Sequence, residues 1–267
     1  MKVVPVLGSP ALLMKVSKER TMVVSDLHLG IESELAEKGI SLPSQMPKVR
    51  TKLIELLEGQ RVDRLVILGD VKHNVPITTW HEWRELPKFF EQLVKLVKID
   101  IVRGNHDGYL EGMIPPEVII HDSHGLVLGK SGRIGLMHGH TWPAPELLNT
   151  ELIVSGHNHL AIEFSDDLGG RSVEPIWLRA KLDAKKFPKK LKTYIKQSMP
   201  YLLVVPAFNE LIGGAAVNRN ISRELIGPMF KSGAVKIDEA EAYLLDGTFL
   251  GKIRGLKKSR SPFSKGF

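Results

Sequence analysis

The sequence contains no cysteine. This absence excludes disulfide bonds, thiolate zinc sites, iron–sulfur clusters and a cysteine nucleophile. A tight metal site in this chain would therefore have to use histidine, aspartate, glutamate, asparagine or main-chain oxygen as ligands. A chain without thiols also suits a reducing compartment.

Long apolar runs are missing as well, since no segment approaches the roughly 20 apolar residues that span a bilayer. The run from Val3 to Met14 is interrupted by Pro5, Gly8 and Pro10, and no small-residue cleavage site follows it. This pattern favours a pair of short strands around a turn over a signal peptide. We therefore predict a soluble cytoplasmic protein that does not associate with membranes.

The overall composition is that of an ordinary globular domain, because 43% of the 267 residues are apolar and 25% are charged. The net charge of +7 is unevenly placed along the chain. Residues 179–200 contain eight basic residues against one acidic residue, and residues 251–267 contain six basic residues and no acidic one. The remainder of the chain is therefore acidic.

Strands and helices alternate over the first hundred residues. Apolar runs predict strands at Thr21–Ser25, Arg64–Leu68 and Ile99–Val102, and helical spacing predicts the helices between them. The predicted helices are Lys48–Leu57, Trp80–Leu86 and Pro87–Lys98. This order indicates a largely parallel sheet with functional loops at the carboxyl ends of its strands. Later strands are predicted at Val118–His121, Leu126–Leu128, Ile134–Met137, Leu152–Val154, Tyr201–Val205 and Ala215–Val217, with a hairpin from Glu241–Leu245 to Thr248–Leu250.

Five polar clusters follow these apolar runs. They are Asp26-x-His28, Gly69-Asp70, Gly104-Asn105-His106-Asp107, His138-Gly139-His140 and Gly156-His157-Asn158-His159. Each cluster taken alone has an ordinary interpretation as a surface loop, a turn or a buried structural histidine. Their shared position at strand ends favours a single site at one edge of the sheet. In extended backbone, Asp26 and His28 would face the same side and reach one ion.

The donor atoms in these clusters are too many for one tetrahedral ion. They suit two ions about 3.5–4 Å apart, bridged by one carboxylate and a hydroxide derived from water. The mixture of oxygen and imidazole favours Mn, Fe, Zn, Co or Ni over Mg or Ca. Such a hydroxide is available near neutral pH, because metal ions lower the pKa of bound water to roughly 7.

The five clusters, in this order over residues 21–159, resemble the motifs of the calcineurin-like metallophosphoesterase superfamily. The resemblance implies an α/β fold, a four-layer α/β/β/α sandwich of two mixed sheets. It implies one domain over residues 1–255 with a basic insertion at about 179–200, followed by a basic tail at 256–267 that we predict to be disordered. The runs Val24–Gly30, Leu68–His73 and Val205–Phe208 are similar to those of predicted archaeal phosphoesterases related to double-strand-break repair nucleases and DNA-ligase-associated phosphoesterases, which suggests DNA repair.

The resemblance also implies a role for each motif residue. The first metal would be bound by Asp26, His28 and His159, the second by Asn105, His138 and His157, and both by Asp70. His106 would act as general acid or as a hydrogen-bond donor to the transition state, with Asp107 orienting it. The expected cofactor is a pair of divalent ions, Mn²⁺ first, with Zn, Fe, Ni or Co as alternatives. The expected reaction is hydrolysis of phosphodiesters in preference to monoesters.

Two histidines have open roles. His73 stands where many family members have aspartate, and it would support a metal ligand, contact the substrate or lie on the surface without a role. For His140 we favour support of a metal ligand.

Two alternatives to a small-molecule phosphodiesterase remain open. The first is a nuclease with the same site. Its DNA or RNA would contact a lysine cluster that lies just before and on a helix predicted at Lys189–Met199. The same lysines also suit a solvated helix face. This lysine cluster consists of Lys185, Lys186, Lys189, Lys190 and Lys192. The second alternative is a non-catalytic scaffold resembling the retromer subunit of this fold, which an intact His106 argues against.

Overall fold

The computed structural model describes residues 3–16, 18–76, 78–129, 133–166, 168–196, 198–219 and 225–257. Within these ranges the chain forms two β-sheets, six α-helices and four short 3₁₀ helices. None of the helices in these ranges is both long and apolar enough to cross a bilayer. Most of the predicted disordered tail, residues 258–267, lies outside the described residues.

The first sheet is built from the N-terminal half of the chain, with its strands in sequence order. Its strands are β1 (Val3–Pro5), β2 (Leu12–Val16), β3 (Glu19–Ser25), β4 (Arg64–Leu68), β5 (Lys98–Val102) and β6 (Ile119–His121). The helices of this half are α1 (Ile31–Glu37), α2 (Met46–Gly59) and α3 (Trp80–Leu93). Strands β3 to β6 pair in parallel and β1 to β3 pair antiparallel, so the sheet is mixed.

The second sheet is also mixed and follows the order β13-β10-β11-β12-β9-β8-β7, with the hairpin β14–β15 attached to β11. Its strands are β7 (Leu126–Leu128), β8 (Ile134–Met137), β9 (Leu152–Ser155), β10 (Leu160–Ser165), β11 (Arg171–Lys181), β12 (Tyr201–Val204), β13 (Ala215–Ala216), β14 (Glu241–Leu244) and β15 (Phe249–Lys252). Its helices are α4 (Lys189–Lys192), α5 (Pro228–Lys231) and α6 (Ile253–Leu256).

Three apolar clusters separate four layers. Met22 packs in a cluster with Leu53 of α2, whereas its neighbour Val23 packs in a different cluster with Val154 of the second sheet. This alternation places helices on one face of the first sheet and the second sheet on the other. The third cluster covers the outer face of the second sheet with side chains from helices and turns, which include Leu147, Leu148, Phe187, Met229 and Ile253. The predicted α/β/β/α sandwich is therefore confirmed.

The loops after the parallel strands of both sheets are joined at one edge. In the second sheet, β8, β9 and β12 are parallel. The N–H of Phe208, beyond β12, donates to the carbonyl of Ser25 at the end of β3, with an N···O distance of 2.8 Å. The N–H of His157, beyond β9, donates to the Asp26 carboxylate at 3.1 Å. The polar clusters predicted at strand ends therefore face one another across the two sheets.

The two helices predicted around Pro87 form one continuous helix, α3, so that prediction was wrong. A capping box between Thr79 and Glu82 fixes the start of α3, and Pro87 lies inside it. Proline has no N–H to donate to the carbonyl four residues earlier, and a proline inside a helix therefore normally interrupts it. Buried side chains on both sides of Pro87, including Leu86 and Phe90, pack the two halves into the same core and outweigh this cost.

The C-terminal half differs from the prediction in its strand and helix bounds. Strands β10 and β11 were not predicted, and in Arg171–Lys181 the exposed positions carry polar residues and a proline. Arg179 to Lys181, the start of the predicted basic insertion, belong to β11 and pair with β12. The helix predicted at Lys189–Met199 covers only Lys189–Lys192.

Candidate metal centre

The seven predicted metal ligands lie together at the shared edge of the two sheets, and most of them are buried. They are Asp26, His28, Asp70, Asn105, His138, His157 and His159. Asp70 lies between the two halves of the group, since its Oδ2 is 3.5 Å from Nε2 of His28 and 3.3 Å from Nε2 of His138. The ligand atoms therefore form two neighbouring sets that share one carboxylate.

The first set consists of Asp26, His28 and His159. Nε2 of His159 lies 3.2 Å from Oδ1 of Asp26. Nε2 of His28 and Nε2 of His159 are both buried and have no hydrogen-bond partner among the described residues. Unpartnered buried nitrogens are costly unless something else satisfies them. A divalent cation in contact with both lone pairs would do so, and the donor set therefore fits a metal ion.

The second set consists of Asn105, His138 and His157. Nε2 of His138 lies 3.2 Å from Oδ1 of Asn105 and 3.1 Å from Nδ1 of His157. Nδ1 of His138 lies 2.7 Å from the carbonyl of Leu68, so it is the nitrogen that donates a proton. Nε2 of His138 is then left as a lone pair that faces the other donor atoms, which is the arrangement of a metal-binding histidine.

Five of the seven ligand residues adopt a backbone conformation that non-glycine residues rarely use. They are Asp26, His28, Asp70, His157 and His159, with φ values of 57°, 40°, 51°, 72° and 42°. The extended backbone predicted for the first pair is therefore wrong. Each such residue costs about 1–3 kcal/mol, and such strain clusters at functional sites. The rest of the fold holds these ligands in place against this cost.

Glycines beside the ligands allow the loops to approach one another closely. A Cβ added at Gly104 would lie 2.3 Å from the main-chain nitrogen of Asp70, and one added at Gly156 would lie 1.7 Å from Oγ of Ser25. The φ of Gly104 is not positive, so no left-handed turn requires a glycine at this position. The structure instead requires a glycine there because the loops after β4 and β5 touch.

The charges in the centre favour ionised carboxylates. Burial alone would raise the pKa of Asp26, but His159 and His138 outweigh it and hold this pKa at about 2. The pKa of Asp70 is likewise held far below its usual range, chiefly by His138 against the effect of burial. Burial lowers the pKa of His28 and of His157 to about 3. The Asp70 carboxylate outweighs burial and raises the pKa of His138 to about 9, and the Asp26 carboxylate raises the pKa of His159. Anionic carboxylates and neutral imidazoles are the forms that bind metal ions, so a bound ion would displace a proton from each of these two rings.

A model of the calcineurin-like phosphoesterase family matches residues 19–185, which is more than half of the chain and contains all five motifs. The chain belongs to this family. The sequence-based assignment to the superfamily is thereby confirmed.

Solved structures of other proteins are similar to parts or all of this calcineurin-like phosphoesterase. The nuclease MPE from Pseudomonas putida is 19% identical, with a TM-score of 0.54 over 93% of this chain and 100% of that one. The phosphoesterase Yfce from E. coli is 24% identical, with a TM-score of 0.35 over 55% of this chain and 73% of that one. An archaeal phosphodiesterase is 18% identical, with a TM-score of 0.32 over 55% and 78% of the two chains. At these identities the likeness to the nuclease concerns the fold, and the two smaller matches add nothing to it.

In this calcineurin-like phosphoesterase a carboxylate and a histidine outside the ligand set support His28. Nδ1 of His73 lies 3.1 Å from Nδ1 of His28, and Nε2 of His73 lies 2.5 Å from Oε2 of Glu34 in α1. If His73 donates to the carboxylate, its Nδ1 accepts the proton of His28, and Nε2 of His28 is left free for a cation. Sequence reasoning missed Glu34, because it lies in no motif and reaches His73 only when α1 packs.

His106 is held by the main chain rather than by Asp107. Its Nδ1 contacts the carbonyl of His73, and its N–H donates to Oδ1 of Asp70 at 2.9 Å. The Asp107 carboxylate accepts the N–H of Val71 and the N–H of Gly104, each at 2.8 Å. Burial, with the charge of Asp70, raises the pKa of Asp107 to about 6. Asp107 therefore joins the loops after β4 and β5.

His140 lies beside the second ligand set. Its ring centroid is 5.2 Å from that of His138 and 6.0 Å from that of His157. Burial and the neighbouring His138 lower the pKa of His140 to about 4. Nδ1 of His140 is buried with no hydrogen-bond partner among the described residues. The ring of His140 therefore packs against the second ligand set.

The loop after β12 supports the first ligand set. Nδ2 of Asn209 donates to the carbonyl of Leu27 at 2.8 Å, between the two ligands of the first motif. Only the preceding run, Val205–Phe208, was singled out from the sequence.

The lysine cluster lies at the other edge of the second sheet. Its segment connects the end of β11 to the start of β12, and the N–H of Tyr201 donates to the carbonyl of Glu151, just before β9. The N–H of Lys196 donates to Oδ1 of Asn149 in the same region. The candidate metal centre instead follows the carboxyl ends of β8 and β9. The strands therefore separate the lysine cluster from the centre.

Proposed function

We propose that this protein hydrolyses phosphodiester bonds with two divalent metal ions. The observation that carries the proposal is the position of Asp70, whose Oδ2 lies 3.5 Å from Nε2 of His28 and 3.3 Å from Nε2 of His138. One carboxylate shared by two sets of donors is the arrangement that a two-ion site requires. Membership of the calcineurin-like phosphoesterase family supports the same reaction class.

Each of the two sets of side chains would bind one ion. Asp26, His28 and His159 would hold the first ion, and Asn105, His138 and His157 the second. Asp70 would contact both. When bound, the two ions would supply Lewis-acid activation of water and neutralise charge on the phosphate oxygens. We propose Mn²⁺ as the working ion, because the donors mix imidazole with oxygen.

His106 would donate the proton to the leaving oxygen. Its Nδ1 is engaged by the His73 carbonyl, so Nε2 is the nitrogen free to face a substrate. The main chain of His106 is fixed to Asp70, which sets the ring beside the shared carboxylate. A positioned histidine of this kind contributes about 10²–10⁴-fold to the rate. This role, with the complete donor set, argues against the scaffold alternative.

The first experiment compares a diester with a monoester. Protein stripped with chelator is reloaded with Mn²⁺ and assayed with bis(p-nitrophenyl) phosphate beside p-nitrophenyl phosphate, while bound manganese is counted by mass spectrometry. We expect two ions per chain, turnover restored by metal, and preference for the diester. Asp70→Asn should reduce the number of bound ions, and His106→Asn should keep both ions but lose at least about 100-fold in kcat.

His124→Ala is the matched control, because His124 is exposed and its Nδ1 contacts the carbonyl of Trp142, which lies outside the ligand set. This variant should behave as the wild type does. If protein with two ions bound turns over neither ester, the enzyme proposal is wrong and the scaffold interpretation takes its place.

A further inference from the structure

Three large aromatic side chains are exposed on one part of the surface. The exposed fractions are 80% for Trp80, 43% for Trp83 and 76% for Tyr109. Trp80 and Trp83 are three residues apart at the start of α3, so they are neighbours on the helix surface. The ring of Trp83 lies against Gly112, whose N–H donates to the carbonyl of Tyr109. We call Trp80, Trp83 and Tyr109 the aromatic rim.

The aromatic rim adjoins the candidate metal centre. Glu82, between the two tryptophans, accepts the N–H of His73 at 3.3 Å and the N–H of Asn74 at 3.0 Å. The first turn of α3 is thereby fixed to the loop whose His73 side chain contacts His28. On the other side, Tyr109 follows His106 by three residues in the loop after β5. The aromatic rim therefore flanks both His73 and His106.

The conformation of Tyr109 is a second, independent observation. Its φ is 61°, in the left-handed region that non-glycine residues rarely use. The ring is three-quarters exposed, so burial of that ring does not compensate for the strained backbone. Strained backbone clusters at active sites and ligand-binding positions, so the conformation of Tyr109 supports a role in binding.

We propose that the aromatic rim stacks the bases of a single-stranded nucleic acid while one of its phosphodiesters lies at the metal centre. This inference rests on the proposed function. Aromatic side chains bind successive bases through their flat faces, with little regard to sequence. In a duplex those faces are already stacked on one another, so the aromatic rim selects unpaired strands. The lysine cluster lies at the other edge of the second sheet, so the binding constant should fall only slightly as the salt concentration rises.

The test uses the manganese-loaded protein and three substrates: a 20-nucleotide single strand of thymidines, the same strand in a duplex, and bis(p-nitrophenyl) phosphate. Trp80→Ala with Trp83→Ala and Tyr109→Ala should raise KM for the single strand about tenfold or more. For the small diester, kcat/KM should stay within about twofold. Phenylalanine at all three positions should restore most of the affinity, because stacking needs an aromatic face.

Phe249→Ala serves as the matched control, since Phe249 is 56% exposed and lies on β15, away from the motif loops. The fluorescence anisotropy of a fluorescein-labelled single strand, titrated with protein in the presence of chelator, reports binding without any hydrolysis. Binding that is lost in the alanine variant supports the aromatic rim even if the small diester is not hydrolysed and the proposed function fails. Unchanged KM and unchanged binding in the alanine variant, or a preference for duplex, would overturn the inference while hydrolysis of the small diester still stands.

Discussion

Nε2 of His73 lies 2.5 Å from Oε2 of Glu34, which joins helix α1 to the candidate metal centre. The other ring nitrogen of His73 lies 3.1 Å from Nδ1 of His28. A carboxylate can only accept, so the direction of proton donation runs from His28 through His73 to Glu34. Nε2 of His28 is then fixed as a lone pair facing Asp70.

Glu34→Gln should therefore weaken binding of the first ion. An amide is uncharged and can donate as well as accept, so it no longer fixes the ring orientation of His73. Mutating a residue that hydrogen-bonds to a metal ligand in this way typically lowers metal affinity about 10–100-fold. We expect a loss of this size for one of two Mn²⁺ ions in a calorimetric titration. Glu37→Gln, on the exposed end of the same helix, should bind both ions as the wild type does. Equal affinities in the two variants would show that Glu34 does not act through His73.

Metal binding should stabilise the fold. The Asp26 and Asp70 carboxylates are both buried, and several ligands are held in strained backbone conformations. An ion that binds the folded chain at 100 times its Kd adds about 2.7 kcal/mol to the free energy of unfolding. We expect Tm, measured by scanning calorimetry, to rise with added Mn²⁺ and to fall back with chelator. In Asp70→Asn the rise should be much smaller, whereas Glu117→Gln, an exposed carboxylate, should retain it. A rise of equal size in both variants would place the ions elsewhere.

Gly156→Ala should damage both the fold and the first ligand set. The added methyl would lie 1.7 Å from Oγ of Ser25 and 2.7 Å from Oδ2 of Asp26, and neither neighbour has room to move, because both are buried. Overpacking of this kind costs about 1–3 kcal/mol. Urea denaturation should show that loss, and manganese binding should weaken. Gly59→Ala is the control, since nothing lies within 4 Å of that position near the end of α2, and it should be neutral or stabilising by up to about 1 kcal/mol. Wild-type stability of Gly156→Ala would show that the loops after β3 and β9 can separate enough to admit a methyl group.

Much of the candidate site could be predicted because polar residues at the ends of parallel strands must meet at one edge of a sheet. Which of these residues are expected to bind metal was implied by the resemblance of the motifs to the calcineurin-like phosphoesterase family. The strained conformations of Asp26 and His28 could not be predicted, because they are imposed by contacts with loops distant in sequence. Glu34 was missed for the same reason. The continuity of helix α3 through Pro87 and the length of β11 depend on packing partners that local sequence patterns do not contain.

Pro87→Ala should stabilise the protein. Alanine restores an N–H that can donate to the carbonyl of Trp83, and it removes a residue that is about 3 kcal/mol less favourable than alanine inside a helix. Part of this gain is lost, because proline also restricts the unfolded chain. We expect a net gain of about 1–2 kcal/mol in the free energy of unfolding, measured in urea. Glu91→Ala, on the exposed face of the same helix, should change stability by less than about 0.5 kcal/mol. A destabilised Pro87→Ala would mean that α3 needs its proline for packing.

Neutralising the lysine cluster should leave the chemistry unchanged. Its five side chains lie on the segment between β11 and β12, at the edge of the second sheet away from the candidate metal centre. Exposed charges separated by more than the Debye length, about 8 Å at physiological salt, are largely screened from one another. With all five lysines changed to glutamine, kcat/KM for bis(p-nitrophenyl) phosphate should therefore stay within about twofold. KM for a single-stranded oligonucleotide should change far less than it does in the aromatic-rim variant. A large rise in that KM, together with loss of its salt dependence, would instead show that nucleic acid extends around the protein to the lysine cluster.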